Sequence, residues 1–331
     1  MNYKRILFTI VMTVIILVGG RTLIYSTIKD KNSDENYHKA FKTNYHILSP
    51  AIPEQLTFCG ENVPLNMYYV REGLERELLT NTFWQSSTML MMKRAYRWFP
   101  IIEPILKKNG VPDDFKYLAL IESGLMNVSS SANAAGFWQF VKPTGQRYGL
   151  EINDEVDERY NIDKATEAAC KYLNYTHSMF NNWVLAAASY NMGENGVKRA
   201  LELQKTNTYF DLYLNEETSR YVYRILALKL IHTSPVKFGY YLRIKDLYPP
   251  IPFKTVKVDT SINNLVDFAK ANAINYRILK DFNPWLRNKK LTNKEKKVFE
   301  IKIPKPGYDN YDNLFGENSD RLFNDTASVL Y

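Results

Sequence analysis

At 331 residues the chain is long enough for one sizeable domain with smaller additions. With 45% hydrophobic and 24% charged residues it has the composition of a globular protein, not of a chain disordered throughout. A net charge of +8 suits anionic polymers or surfaces, but Lys and Arg are dispersed and no nucleic-acid motif occurs, so nucleic acid is not an expected partner.

Residues 1–28 read as a signal peptide or N-terminal membrane anchor. Lys4 and Arg5 precede an apolar stretch at 6–20, a positive n-region followed by a short h-region. No cysteine and no clean small-residue cleavage site follow, and Arg21 interrupts the run. Cleavage and retention both remain open, and either way the N-terminus stays cytoplasmic while the rest is exported to the cell envelope (the periplasm). Residues 29–65 are polar and carry Pro50, Pro53 and Pro64, reading as a linker or irregular arm.

From residue 66 the pattern is helical. Met67, Val70, Leu74 and Leu78 share one face. The next helical pattern, about 84–109, is rich in Met and aromatic residues, and Pro100 and Pro104 should kink or split it. Asp113 and Asp114 then fall in the first turn of a helix that carries Phe115, Leu118, Ala119 and Glu122 towards one side. Residues 129–135 are small and polar and read as a loop. Further helices are predicted at 163–180, 183–203 and 219–232. After the Pro-rich stretch at 248–252 come a short strand at 255–258, helices at 262–273 and 276–283, and a strand at 298–303. The tail from 307 to 331 is polar. Cys59 and Cys170 have no metal-binding spacing, and a disulfide between them cannot be decided from sequence.

Glu122 is the residue with chemical promise. A carboxyl at the end of an apolar helix suits a general acid whose pKa is raised by burial. Around it lie Gly136-Phe137-Trp138-Gln139-Phe140, then Ser189-Tyr190-Asn191-Met192-Gly193, then Glu217-Thr218-Ser219-Arg220-Tyr221-Val222. With Glu122-Ser123 and Ser131, nine positions after the Glu, these segments resemble, in order, the four motifs of the bacterial lytic transglycosylases. The resemblance covers about 60–305 and is strongest to the membrane-bound D branch, which joins a catalytic domain to LysM modules. Asn127 stands where that family usually has Pro.

The resemblance implies a mainly α fold: a lysozyme-like all-α catalytic domain at 66–247 and a small βααβ LysM-like module at 253–306. It implies peptidoglycan glycan strands as substrate and cleavage of the β-1,4 bond between N-acetylmuramic acid and N-acetylglucosamine, with formation of a 1,6-anhydro ring. Glu122 would be the single general acid/base, with no metal and no cofactor. By the same match Tyr190 would donate a hydrogen bond to Glu122, Ser131 and Gln139 would position the sugar, Ser123 and Asn191 would brace the cleft, and Tyr221 would line it. Two other readings stay open: a lysozyme-like hydrolase, for which Glu217 is the second carboxylate to check, and a catalytically silent peptidoglycan-binding protein. Endo or exo cleavage, protein partners and oligomeric state are not legible.

Overall fold

The computed structural model describes residues 49–315 and 319–324, with single positions at 3, 12, 35, 36, 38 and 39. The apolar stretch at 6–20 lies outside the described residues, and among those described no helix is long and apolar enough to cross a membrane. The chain is mainly helical, as the sequence predicts.

Within the predicted 29–65 linker, the described residues 49–65 include a packed element. Strands β1 (Thr57–Phe58) and β2 (Glu61–Asn62) pair antiparallel around Cys59 and Gly60, both at positive φ. Leu56, Phe58, Val63 and Leu65 are buried in the main core. These few apolar side chains among prolines have no periodicity, which is why the segment reads as a linker. Cys59 and Cys170 are both free thiols.

Helix α1 (Tyr68–Phe83) buries Val70, Leu74 and Leu78, the face expected from their spacing. Helix α2 (Gln85–Lys108) is continuous through Pro100 and Pro104, so of the expected kink or split the split does not occur. Both prolines are exposed, so the carbonyls that lose their helical donors, those of Tyr96 and Pro100, lie on the solvent side, where water can serve them. A 3-10 turn at Asp113–Phe115 leads into α3 (Lys116–Ser123). Asp114 does not cap that helix; its Oδ2 accepts from the Cys59 N–H and from Lys229 Nζ, both at 2.7 Å.

Helices α4 (Lys142–Arg147), α5 (Ile162–Phe180), α6 (Trp183–Met192), α7 (Glu194–Gln204) and α8 (Glu216–Thr233) complete the helical part. Gly193, at φ +76, breaks the predicted 183–203 helix in two. Ala186, Ala187 and Ala188 are fully buried, which lets α5 and α8 approach α6 closely. Asn161, Asn182 and Asn215 cap α5, α6 and α8 with their side-chain oxygens.

A second core follows. β3 (Phe253–Val258) pairs antiparallel with β4 (Phe299–Pro304), and α9 (Leu265–Ala271) and α10 (Tyr276–Phe282) lie between them in sequence. The βααβ order is that expected. Val258, Leu265, Leu279, Leu286 and Ile301 form its centre, and Val156 of the helical part joins them. Asn283 is fully buried and exchanges hydrogen bonds with the main chain of Lys302 at 2.7 and 2.8 Å, locking the turn onto β4. Described residues of the predicted tail pack on the body: Phe323 N–H donates to Leu242 O at 2.8 Å, and the Phe323 ring sits edge-on to Tyr96 and His232.

Candidate active site

Helix α3 is short because its ends are fixed. Tyr117, Leu118, Ala119 and Leu120 are buried, and Gly124 stops the helix in a left-handed turn at φ +59. Arg94 Nε donates to the Gly124 carbonyl at 2.5 Å, holding that stop. The last turn therefore presents Glu122, half-buried, from a rigid base.

One carboxyl oxygen of Glu122, Oε1, accepts a short hydrogen bond from the Tyr221 hydroxyl. The other takes no hydrogen bond among the described residues. Burial pushes the carboxyl up from an ordinary 4.5 to about 7, against the opposing pull of the Tyr221 hydrogen bond and the Arg224 charge; the negative charge of Glu217 adds a smaller upward push. Tyr221 is itself pushed well above its ordinary pKa by burial, so it remains a donor. Glu217, Tyr221 and Arg224 stand at i, i+4 and i+7 on one face of α8. Arg224 is held from behind by Glu77 of α1, with 3.8 Å between Nε and Oε2. Glu77 is only 1% exposed and also pairs with Arg220 at 2.6 Å, so it anchors two cations of the helix that faces Glu122.

Opposite α8 runs the segment 133–140, tightly pinned. Gly136 at φ +77 and Gln139 at φ +48 both adopt left-handed backbone. Ser123 Oγ donates to Phe137 O at 2.9 Å, and Tyr190 donates to Trp138 O at 2.7 Å. Trp138 Nε1 reaches Thr166 Oγ1 at 2.8 Å. Arg159 Nη1 donates to Asn133 O at 2.8 Å and Phe140 O at 3.1 Å.

The expected hydrogen bond to Glu122 comes from a different tyrosine. Tyr190 does not donate to Glu122; its single hydroxyl proton goes to Trp138 O, and Tyr221 supplies the bond instead. Tyr190 stays near enough for the Glu122 charge to help raise its pKa. Ser123 is buried with its hydroxyl spent on the main chain, so it braces α3 against the Gly136 loop and offers nothing to a ligand. Asn191 likewise is used on both sides, accepting from Thr218 Oγ1 at 2.8 Å and donating to Glu217 at 3.3 Å, which ties α6 to the start of α8.

Gln139 spends its amide nitrogen on Gly136 O at 2.7 Å and Val128 O at 3.2 Å, leaving its carbonyl oxygen unbonded among the described residues. Ser131 is exposed in the turn at 130–134, and its side chain makes no hydrogen bond among the described residues. Sequence reasoning missed Arg224 and Glu77. The helical spacing from Tyr221 to Arg224 could have indicated the first; nothing local marks Glu77 as buried.

The transglycosylase SLT domain matches residues 99–212. The soluble lytic transglycosylase C-terminal LysM-like domain matches residues 254–307. Glu122, Ser131, Gln139 and Tyr190 fall inside the first match, and Tyr221 lies beyond its end. The membrane-bound lytic murein transglycosylase D of Escherichia coli (strain K12) is 31% identical over 183 residues, 54% of this chain and 40% of that protein. Its counterpart in Escherichia coli O6:H1 matches to the same extent. A protein of Alteromonas sp. (strain M-1) named for tributyltin chloride resistance is 29% identical over 125 residues, 37% of this chain and 58% of that one. The chain thus spans less than half the length of the Escherichia coli relatives it matches. It joins a transglycosylase SLT domain to a LysM-like domain of the soluble lytic transglycosylase type.

Proposed function

We propose that the protein is a peptidoglycan lytic transglycosylase of the cell envelope, with Glu122 as its single general acid/base. The observation that carries this is the state of one carboxyl group. Glu122 holds its proton to about pH 7, has one oxygen engaged by Tyr221 and keeps the other unengaged at the half-buried end of α3. A carboxylic acid protonated near neutrality is what a glycosidic leaving group needs.

In the proposed reaction the unengaged oxygen of Glu122 gives its proton to the glycosidic oxygen as the bond to the muramic acid anomeric carbon breaks. The resulting carboxylate is stabilised by the Tyr221 hydroxyl and the Arg224 charge. It then takes the proton of the muramic acid C6 hydroxyl, whose oxygen bonds to the anomeric carbon. No water is consumed, and Glu122 ends protonated as it began. Gln139 and Ser131, with polar atoms left available, are the proposed sugar contacts. The apolar stretch at 6–20 is proposed to hold the chain to the inner membrane or to direct its export.

Glu217 favours a second reading, ordinary hydrolysis with two carboxylates, because its charge reaches Glu122. Against it, Glu217 is exposed and bonded to Asn191. Mass spectrometry of products from purified peptidoglycan separates the two. Ends in 1,6-anhydro-N-acetylmuramic acid are expected; reducing ends, heavier by one water, would establish the hydrolase and refute the transglycosylase.

Tyr221→Phe tests the hydrogen bond. Its loss removes a contact that favours the ionised carboxyl, so the pKa of Glu122 rises further. The alkaline fall in rate should move to higher pH, and the maximal rate should drop by about tenfold, the weight of one charge-assisted hydrogen bond. A pH–rate profile superimposable on the wild type's would exclude this role.

A further inference from the structure

On the other side of α8 from Glu122 lies a cavity of about 680 Å³, between the start of α1 and the turn at 209–213. Each helical residue turns the chain by about 100°. Ser219 and Tyr223, which line the cavity, therefore point away from the face that carries Tyr221 to Glu122. The cavity is not part of the reacting site.

Its walls are tyrosine rings. Tyr68 and Tyr213 are 73% and 91% exposed, and Tyr69 stands edge-on to Tyr68 with ring centres 5.3 Å apart. Large rings this exposed contribute little to the core. Gly73 makes the floor: a Cβ there would come within 2.9 Å of the Tyr223 ring, so glycine lets that ring close against α1. The charged groups are Glu72, Arg76 and Asp211. Asp211 accepts from the Tyr69 hydroxyl at 3.0 Å, which sets the tilt of that ring. Arg76 is 3.4 Å from Glu77, so part of its charge is already answered.

Two carboxylates against one partly neutralised cation do not suit a polyanion such as nucleic acid or a phosphate polymer. Flat rings with polar rims, interleaved with planar acceptors and one guanidinium, suit an uncharged ligand with alternating C–H faces and hydroxyls. We infer that this tyrosine cavity is a second glycan-binding site, taking a stretch of β-1,4-linked N-acetylhexosamine strand other than the one being cleaved. The identity of the strand rests on the peptidoglycan reading above; the sugar chemistry of the cavity does not.

Hydrogen exchange on the full chain carrying Glu122→Gln, with and without the N-acetylglucosamine tetramer, tests this. Slower exchange in 68–76 and 209–213 is expected. A Tyr68→Ala/Tyr213→Ala pair in the same background should need about two- to tenfold more sugar for the same protection, the scale of one or two aromatic contacts. Both side chains are solvent-facing, so the fold should survive. Protection confined to α3 and α6, protection nowhere, or unchanged sugar demand in the double variant would each overturn the inference. Protection at the cavity together with failure of wild-type protein to release anhydro ends would keep the second site and remove the proposed reaction.

Discussion

Glu122→Gln is expected to abolish turnover and, at the same time, to stabilise the protein above neutral pH. Removing the only proposed acid/base should cost at least about 10³-fold in rate, within the range for a positioned proton donor. The stability effect has a definite sign. The carboxyl ionises near 4.5 in the unfolded chain and near 7 in the folded one. Between those values the folded state binds more protons, so stability falls as pH rises through this window. Below about pH 4.5 both states are protonated and the penalty is absent; above about pH 7 it is complete. A pKa unit corresponds to about 1.4 kcal/mol, and partial solvent access reduces the full difference to about 1–2 kcal/mol. Glutamine carries no charge to bury. Chemical denaturation at pH 8 should therefore show the variant more stable by that amount, with no gain at pH 4. Equal stabilities at both pH values would mean that Glu122 is not held in a desolvating site.

Gly136→Ala should be the most damaging single-methyl change at the site. An added Cβ would lie 1.8 Å from the Arg159 carbonyl oxygen, which is backbone and cannot swing away. The φ of +77 adds the cost of left-handed conformation to any side chain. Overpacking and strain together amount to about 2–5 kcal/mol. The loop can escape only by moving, and moving it carries Gln139 and the Trp138 carbonyl that anchors Tyr190. Thermal unfolding and product assays together are the measurement. A variant that keeps both its midpoint and its rate would refute the close packing of Gly136 on Arg159.

Much of this architecture is written in local pattern. The Val70-Leu74-Leu78 spacing marks α1, and the apolar run ending at Glu122 marks the helix that presents the acid. The alternation at 298–303 marks β4. What is not local is not legible. Tyr190 and Tyr221 both stand on helices around Glu122, and which hydroxyl reaches it depends on how α6 and α8 cross α3. Glu77 looks like one more charge in a polar stretch; its burial requires Arg220, 143 residues later in the chain. Pro100 and Pro104 argue for a break by local rules, but both fall on the solvent side of α2, where a lost donor costs little. Leu56, Phe58, Val63 and Leu65 are too sparse to announce a packed element, yet each reaches the main core.

The C-terminal module is wired, through Asp157 and Arg159, to the Gly136 loop. Asp157 N–H donates to the carbonyl of Trp285 at 2.9 Å, and Arg287 N–H donates to Glu155 O at 2.8 Å. Asp157 in turn grips Arg159 at 2.7 Å, the same arginine whose other nitrogen holds both ends of the Gly136 segment. The module is thus a buttress as well as an appendage. A chain ended near residue 250 would lose the acceptor for Asp157, bare Val156 to water and slacken the one guanidinium that keeps the loop taut. The helical domain studied alone would be a softer machine than the one the whole chain builds.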